Sequence, residues 1–312
     1  MDGRKVLIIG GSGFIGSRLL SSGSAGRYTA TYLSQPLKGG VRFDTTRDRL
    51  ADKFLLRGHG YTHAVLTMGV TKLDQCAQAP ERTELANLIG VQNAVDDLLE
   101  AGVHPIFLSS DGVFDGTRGP WTEEDPVCPT LTYGRQKAGV ESYLAGSPRP
   151  WTILRLSKVI STYASERNLL SLWLKQILQG QTILCATDQV LSPIDIDDVV
   201  QVIDFVVETG TRGLFNTSGS DILTRLELLE TFVAHAPASV RKLAAVRTCL
   251  LRDVRSIEPL PVNCSLLNAK LRRVSGISPV SVARTCVRFF EQFAARQGGG
   301  LESIDSAQAM RA

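Results

Sequence analysis

Short apolar segments in the first half of the chain alternate with longer segments whose apolar residues recur at helical spacing. The first short segment, KVLIIG, is apolar and β-branched and ends in glycine, which is typical of a strand buried on both faces of a parallel sheet. Similar segments predict strands at 5–10, 28–33, 41–43, 63–68, 104–109 and 151–156. The segments between them predict helices at 14–20, 48–57, 81–101 and 133–145.

Alternation of strands with helices predicts an α/β fold, a Rossmann-type doubly wound parallel sheet with right-handed crossovers. Beyond Arg155 the alternation weakens, and further helices are predicted at 168–178, 197–208, 223–234 and 279–296. We therefore predict an NAD(P)-binding domain and a smaller C-terminal lobe. The predicted boundaries are 1–156 with parts of 180–220 for the Rossmann domain, 157–297 mainly for the substrate-binding lobe, and 298–312 for a flexible tail.

Composition and charge argue against several classes of protein. Apolar residues make up 43% of the chain, enough for a full core, and the 34 basic and 31 acidic residues nearly cancel, unlike in a nucleic-acid-binding surface. The six cysteines and four histidines show no metal-ligand spacing, so we expect free thiols and no metal. Neither a signal segment nor a membrane-spanning apolar stretch is present, so we expect a cytoplasmic protein without membrane contact.

A glycine-rich turn lies between the first predicted strand and the first predicted helix. Its pattern, G-x-x-G-x-x-G, permits a tight turn and lets a pyrophosphate approach the helix N-terminus, where N–H groups and the helix dipole stabilise an anion. A purely structural turn is the alternative, but the position on the first strand favours a dinucleotide. The cofactor-binding residues predicted here are Gly10, Ser12, Gly13, Phe14, Ile15 and Gly16.

The end of the second predicted strand favours NADP(H) and leaves NAD(H) open. NAD enzymes place an acidic residue there for the ribose 2′-hydroxyl, whereas this strand ends in Leu33, Ser34 and Gln35. Ser34 could hydrogen-bond a 2′-phosphate, and Lys38 or Arg42 could neutralise its charge, although surface-loop roles are an alternative for the two basic residues.

Asp44 follows the third predicted strand and has two possible roles. Its carboxylate could accept a hydrogen bond from the adenine amino group of the cofactor, and Thr45 beside it is included in the predicted cofactor site. The alternative is that Asp44, together with Thr45 and Thr46, caps the helix that follows. The residues alone leave both roles open.

Tyr133 and Lys137 stand one turn apart on a predicted helix, so both side chains project from one face. A neighbouring ammonium favours the phenolate, so we expect Lys137 to lower the pKa of Tyr133 from its usual value of about 10 for general acid–base catalysis. Lys137 could also hold the nicotinamide ribose. A chance pair on the helix surface is the alternative.

The location of the pair strengthens its catalytic interpretation. It follows the strand that ends in Ser109, Ser110 and Asp111, at the carboxyl edge where ligands of open α/β sheets bind. Ser110 could therefore hydrogen-bond a substrate carbonyl oxygen, and its alternative role is to cap the following loop. The three predicted catalytic residues are Ser110, Tyr133 and Lys137.

The segment SSDGVFDGTRGPWTEEDPVCPTLTYGRQK, residues 109–137, resembles a known family. It is similar to the S-T-D-Y-V-F-D-G, P-x-x-E-x-D and Y-G-x-x-K run of the dTDP-4-dehydrorhamnose reductases, which belong to the extended short-chain dehydrogenase/reductases. The resemblance implies an NAD(P)H-dependent reductase of a nucleotide-linked keto-deoxysugar. It implies that hydride passes from the nicotinamide while Tyr133 donates a proton, Ser110 polarises the oxygen and Lys137 supports the charge.

Other segments extend the resemblance into the substrate site. TKLDQC at 71–76 is similar to the family's T-x-V-D-x-C segment beside the sugar pocket, and Asn168 with Leu169 resembles an N-F pair of the substrate lobe. Asn87 and Arg155 fit further positions of the family pattern. The substrate-binding residues that this implies are Asp74, Ser110, Asp111, Tyr133 and Asn168.

The chain departs from the family at two places that, by the resemblance, should face the ligand. Gly112 stands where the family has an aromatic residue, and Thr67, Met68 and Gly69 replace the family's N-x-A-A strand end. We predict that Met68 and Gly69 contact the cofactor and that Gly112 enlarges or reshapes the sugar pocket. The sugar and its nucleotide are therefore not predicted.

Two other functions stay open. One is a nucleotide-sugar epimerase or dehydratase on the same scaffold, which would retain its cofactor and return the hydride within one cycle. The other is a non-catalytic regulatory subunit, because the resemblance also includes the beta-type regulatory partner of methionine adenosyltransferase. The expected partners are a nucleotide-sugar substrate and, by analogy alone, a second copy of the chain in a homodimer.

Overall fold

The computed structural model describes residues 4–23, 26–166 and 168–296, so the predicted flexible tail at 298–312 lies outside the described residues. Strands and helices alternate along the first half of the chain, as the apolar pattern predicts. The strands are β1 (Lys5–Ile9), β2 (Tyr28–Tyr32), β3 (Val41–Arg42), β4 (Tyr61–Leu66), β5 (His104–Ser110), β6 (Thr152–Leu156), β7 (Val159–Ile160), β8 (Ile183–Ala186), β9 (Val190–Leu191), β10 (Ile194–Asp195), β11 (Gly213–Thr217), β12 (Leu223–Thr224) and β13 (Val246–Cys249).

The helices cover both faces of the sheet and form most of the C-terminal lobe. They are α1 (Phe14–Ser22), α2 (Leu50–Lys53), α3 (Leu73–Gln78), α4 (Pro80–Glu84), α5 (Gly90–Glu100), α6 (Thr132–Ala145), α7 (Leu169–Leu178), α8 (Ile196–Thr209), α9 (Arg225–Ala234), α10 (Ala238–Leu243), α11 (Ala269–Ser275) and α12 (Val282–Arg296). Among the described residues, no helix combines the length and the apolar character that crossing a membrane requires.

Seven of the strands in the described residues form one parallel sheet in the order β3-β2-β1-β4-β5-β6-β11. This confirms the predicted doubly wound α/β fold. The chain moves outward from β1 in one direction through β2 and β3, and then in the other direction through β4. Such a reversal opens a crevice at the carboxyl ends of β1 and β4, where ligands of open α/β sheets bind.

Alternate residues of β1 pack into two separate hydrophobic cores, one on each face of the sheet. Val6 and Ile8 pack with residues of α1 and α8 on one face of the sheet, and Leu7 and Ile9 pack with residues of α5 and α6 on the other. These four side chains are fully buried. Burial of each contributes about 1.5–3 kcal/mol, which explains why the strand is apolar after Lys5.

The C-terminal lobe has its own core, built from α7, α9 and α12. Its centre is aromatic: the rings of Phe232 and Phe290 lie 4.8 Å apart between centroids, and Phe289 and Trp173 pack around them. Because α8 and β11 return to the main sheet between α7 and α9, the chain crosses between the lobe and the sheet more than once.

Several predicted elements differ in extent from those observed. The helix predicted at 48–57 is only the single turn α2, because Phe54 has extended backbone, with φ −135° and ψ 135°. The helix predicted at 81–101 contains a π-helical turn at Leu85–Ile89 between α4 and α5. The helix predicted from residue 223 begins at Arg225, since the two preceding residues form β12 and pair with β9.

A buried ion pair holds α6 against the sheet. Arg155 of β6 contacts Glu141 of α6 at 2.7 Å, and the two side chains are 3% and 6% exposed. Ser109 of β5, which pairs with Arg155 across the sheet, also donates a hydrogen bond to Glu141. Glu141 is thus held by two strands at once.

We expect Glu141→Ala to destabilise the fold by about 3–5 kcal/mol, because Arg155 would keep its charge in the interior without a partner. Urea unfolding followed by circular dichroism measures the loss. The double variant Glu141→Leu, Arg155→Met is the control, and we expect it to recover most of the stability because it removes both buried charges. A loss below about 1 kcal/mol in the single variant would show that the pair does not anchor α6.

Candidate active site

The glycine turn between β1 and α1 is too tight to hold side chains at two of its positions. Gly10 has φ +98°, and a Cβ on Gly16 would lie 2.4 Å from the carbonyl oxygen of Gly10. Gly13, which precedes α1, offers no side-chain acceptor to the helix. The N–H groups of the first helical residues, Phe14 and Ile15, therefore lack intrahelical acceptors and suit a pyrophosphate.

Neighbouring strands hold this turn in place. Thr31 of β2 accepts hydrogen bonds from the N–H of Gly10, through its hydroxyl at 3.0 Å, and from the N–H of Gly11, through its carbonyl at 2.8 Å. On the other side, a Cβ on Gly10 would lie 2.9 Å from the backbone nitrogen of Met68. The structure thus brings the predicted cofactor residues after β4, Met68 and Gly69, next to the glycine turn.

The polar residues predicted to bind the adenosine half of a cofactor lie at the surface. Ser34 and Arg42 are exposed at the ends of β2 and β3. Asp44 accepts hydrogen bonds from the backbone N–H of Thr46 at 3.0 Å and from its hydroxyl at 2.7 Å, so its carboxylate caps the local turn. The backbone of Thr45 packs against Gly90, where a Cβ would lie 2.4 Å from the Thr45 carbonyl oxygen.

The structure brings the predicted catalytic residues together at the carboxyl end of β5. The hydroxyl of Ser110 donates to a carboxylate oxygen of Asp111 at 2.9 Å and accepts from the N–H of Gly112 at 3.1 Å. A Cβ on Gly112 would lie 3.5 Å from this hydroxyl oxygen and 3.8 Å from a ring carbon of Tyr133. Ser110 and Tyr133 therefore border the same small space, which Gly112 leaves open.

Lys137 lies beneath Tyr133 and is buried. Its ammonium donates to the carbonyl oxygen of Leu108 at 2.8 Å and lies 5.7 Å from the centroid of the Tyr133 ring. Burial lowers the pKa of Lys137 to about 8, although the negative charge of Glu141 acts in the opposite direction. A pKa so close to neutral is typical of residues at functional sites.

The prediction that the pKa of Tyr133 is lowered was wrong. Burial raises the pKa of its phenol, and the negative charge of Asp111 raises it further. Helical spacing predicted the neighbour but not the loss of solvent around the hydroxyl, and desolvation is the larger effect. Tyr133 is consequently protonated at neutral pH.

Asp111 contacts Ser110 and acts electrostatically on Tyr133. Asp111 and Tyr133 are each partly exposed to solvent, yet the surrounding protein raises the pKa of both groups, that of Asp111 to about 6. The positive charge of Lys158 acts on the pKa of Asp111 in the opposite direction. Asp111 is therefore mostly ionised at pH 7 and protonated below about pH 6.

Two predicted substrate residues lie outside this cluster. Asp74, in the first turn of α3, accepts a hydrogen bond from the N–H of Ile257 at 3.1 Å and borders an open cavity of about 560 Å³. Asn168 is the N-cap of α7, and its side-chain oxygen accepts from the N–H of Leu170 at 2.9 Å. Their contact with substrate stays a prediction.

Sequence reasoning missed the network that holds the start of α6. Asn87, in the π-helical turn, donates to Gln136 at 2.8 Å, and Gln136 donates to Thr83 at 2.9 Å. Asn87 also accepts from the N–H of Val70 at 2.7 Å, which ties α6 to the segment after Gly69. Gln136 and Glu141 could have been noticed as polar residues in the helix that carries the catalytic pair.

The chain is similar to proteins of a known family. The chain matches the family model of the RmlD substrate binding domain over residues 4–294. It is 31% identical over 158 residues to a dTDP-4-dehydrorhamnose reductase of Sinorhizobium fredii. This match covers 48% of this chain and 53% of that protein. It is 22% identical over 241 residues to the methionine adenosyltransferase 2 subunit beta of Rattus norvegicus, covering 72% of this chain and 70% of that one.

The fold is also similar to that of a solved structure. The dTDP-4-dehydrorhamnose reductase of Bacillus anthracis, in complex with NADP, superposes with a TM-score of 0.81 at 19% identity. The match covers 93% of this chain and 99% of that one. At this identity the comparison shows a common fold.

We expect Gly134→Ala to disturb the site and Gly112→Ala to leave the fold intact. A Cβ on Gly134 would lie 1.9 Å from the carbonyl oxygen of Gly112, so α6 must move away from Ser110. We expect a loss of about 1–3 kcal/mol in stability for Gly134→Ala and less than about 0.5 kcal/mol for Gly112→Ala, both measured by urea unfolding. Equal stabilities of the two variants would contradict this close approach of α6.

Proposed function

Because the chain belongs to the RmlD substrate binding domain family of the extended short-chain dehydrogenase/reductases, we propose that it reduces a keto group on a nucleotide-linked deoxysugar. The observation that carries the proposal is the cluster of Ser110, Tyr133 and Lys137 at the carboxyl end of β5. This end lies two strands from the glycine turn, since β4 separates β1 from β5. Adjacent strands are about 4.8 Å apart, so a dinucleotide can reach from the turn to Tyr133.

The glycine turn is the proposed site of the cofactor pyrophosphate, with the first N–H groups of α1 facing its charge. NADP(H) is favoured for two reasons. No carboxylate directly follows β2, and the exposed side chains of Ser34, Lys38 and Arg42 can contact a 2′-phosphate near the end of that strand. The Bacillus anthracis relative was solved with NADP, and NAD(H) stays an alternative here. A bound nicotinamide supplies hydride to the carbonyl carbon.

The protein residues hold the carbonyl and supply the proton. Ser110 donates a hydrogen bond to the carbonyl oxygen, and Tyr133, protonated at neutral pH, donates its proton to that oxygen. The buried ammonium of Lys137 then stabilises the phenolate that remains on Tyr133. Because its pKa is raised, Tyr133 carries the proton that reduction of a carbonyl requires.

Two alternatives predict different behaviour of the purified protein. An epimerase or dehydratase would carry tightly bound nicotinamide and consume no added NADPH. A regulatory subunit, favoured by the similarity to methionine adenosyltransferase 2 subunit beta, would form a stable complex with an unrelated chain and reduce no keto-sugar. Cytoplasmic location and homodimer formation stay predictions.

We expect Tyr133→Phe to lower kcat for NADPH-dependent keto-sugar reduction by about 10²- to 10⁴-fold, the usual contribution of a positioned general acid. Cofactor affinity, measured by calorimetry, should be unchanged because the ring and its packing remain. Tyr143→Phe is the matched control, since Tyr143 lies on the same helix and bonds to Asp96 at the surface. Wild-type turnover in Tyr133→Phe would refute the proton-donor role.

We expect kcat/KM for reduction to fall as pH rises above about 8. The pKa of Lys137 is lowered to about 8, so its ammonium is present at pH 7 and lost progressively above pH 8. Without it, the phenolate that forms on Tyr133 has no adjacent positive charge. A pH–rate profile measures the effect, and Lys137→Met should give a low rate without this alkaline limb. A wild-type profile that stays level to pH 9.5 would contradict this role.

A further inference from the structure

The first turn of α6, which carries Tyr133, has no side-chain cap from the residue that precedes it. Leu131 is the N-cap residue, and its apolar side chain accepts no hydrogen bond from the helix. The N–H groups of the first helical residues have no acceptor within the helix, and polar N-cap residues normally supply one. An apolar N-cap therefore leaves the start of α6 dependent on a more distant residue.

Glu258, in the loop between β13 and α11, supplies the missing acceptor. Its two carboxylate oxygens lie 2.9 and 3.0 Å from the backbone nitrogen of Thr132, the first residue of α6. One of them also accepts from the hydroxyl of Thr132 at 2.8 Å and from the guanidinium of Arg135 at 2.9 Å. Glu258 thus binds the first turn of the helix on both sides of Tyr133 in the sequence.

The charge of Glu258 suits this position. Burial acts to raise the pKa of its carboxyl group, but the hydrogen bonds from Thr132 and Arg135 outweigh burial and lower the pKa. Glu258 is therefore ionised at neutral pH. The unpaired N–H groups at the N-terminus of a helix carry partial positive charge, which a carboxylate stabilises. The same group thus caps α6 and complements its dipole.

The loop that carries Glu258 is held by contacts on either side of that residue. The N–H of the preceding residue, Ile257, donates to Asp74 of α3 at 3.1 Å. Three residues after Glu258, Pro261 packs closely on Gly116, where an added Cβ would lie 2.4 Å from the Cβ of the proline. The carboxylate therefore reaches α6 from a loop that is fixed both to α3 and to the segment after β5.

The rest of α6 is anchored independently of Glu258. Three later residues of the helix bond to the sheet or to the helical segments beside it: Gln136, Lys137 and Glu141. Loss of the contact at Glu258 would therefore loosen the first turn and leave Lys137 in place. The phenol of Tyr133 would then shift relative to Ser110, and a misplacement of about 1 Å can lower a rate by about 10²-fold.

We propose that Glu258 positions Tyr133 for proton transfer by capping the first turn of α6. The inference rests on the proposed function for the role of Tyr133 as proton donor. Glu258 acts through the backbone of α6 rather than on the substrate, so it is a positioning residue. The loop between β13 and α11 thereby controls the geometry of the proton donor.

Hydrogen exchange of the full chain, followed by mass spectrometry, tests the cap without turnover. We expect Glu258→Ala to speed exchange at residues 131–136 by about 2- to 30-fold, the usual effect of losing a helix cap, and to leave the rest of α6 unchanged. Glu258→Gln keeps an oxygen that can accept the N–H of Thr132, so it should exchange nearly as the wild type does. Arg135→Gln removes only a half-exposed ion pair and should have little effect. Glu230→Ala, at an exposed glutamate of α9, is the matched control.

Two further measurements report on Tyr133 itself. Burial raises the pKa of its phenol, so a loosened turn that admits water should bring the pKa back towards about 10 in Glu258→Ala. Titration of tyrosine-labelled protein by ¹³C NMR measures this change. With dTDP-4-dehydrorhamnose as the probe substrate, Glu258→Ala should lower kcat by about 10- to 100-fold and leave the KM for NADPH unchanged, and Glu258→Gln should recover most of kcat.

The results separate positioning from capping alone. Unchanged exchange and an unchanged Tyr133 titration in Glu258→Ala would overturn the proposal, as would the same losses in Arg135→Gln. Faster exchange at 131–136 with a wild-type titration and wild-type kcat would show that Glu258 caps the helix without positioning Tyr133, which also contradicts it. A wild type that does not reduce the probe counts instead against the proposed function, because exchange and titration do not depend on turnover.

Discussion

The site depends on the buried carboxylate of Glu141. It accepts hydrogen bonds from the guanidinium of Arg155 and from Ser109, so one side chain of α6 is bonded to both β6 and β5. Burying a charge is costly unless partners replace water, and here two partners do. Glu141 is also one turn beyond Lys137 on the same face, and its charge raises the pKa of that buried lysine. The same group therefore orients the helix that carries the proposed catalytic pair and helps to keep the ammonium of Lys137 protonated.

Much of the fold could be predicted because it depends on periodicity within short segments. The strand β1 is apolar from Val6 to Ile9, which identifies a strand buried on both faces, and the glycines after it mark the turn into α1. Elements that depend on distant partners were less predictable. The helix α2 ends after one turn, and the carboxylate of Asp97, far along the chain, accepts the N–H of its first residue, Leu50. The spacing of residues within a short segment does not indicate such long-range contacts.

The same distinction applies to the site. The spacing of Tyr133 and Lys137 and the strand end at Ser110 predicted the cluster that the structure assembles. The direction in which the pKa of Tyr133 shifts could not be predicted, because the shift depends on how much protein surrounds the hydroxyl and on the charge of Asp111. Asp44 fitted either a ligand contact or a cap, and its carboxylate is bonded within its own turn, while its contact with a cofactor stays a prediction.

The register of β6 connects the anchor of α6 with the hydroxyl of Ser110. Arg155 on this strand is paired with Glu141 of the helix that carries the proposed proton donor, and the next residue, Leu156, lies opposite Ser110 of β5. Because β6 and β5 are hydrogen-bonded in this register, the buried ion pair and Ser110 belong to one rigid sheet. A change that shifts α6 relative to β6 would therefore also move Tyr133 relative to Ser110.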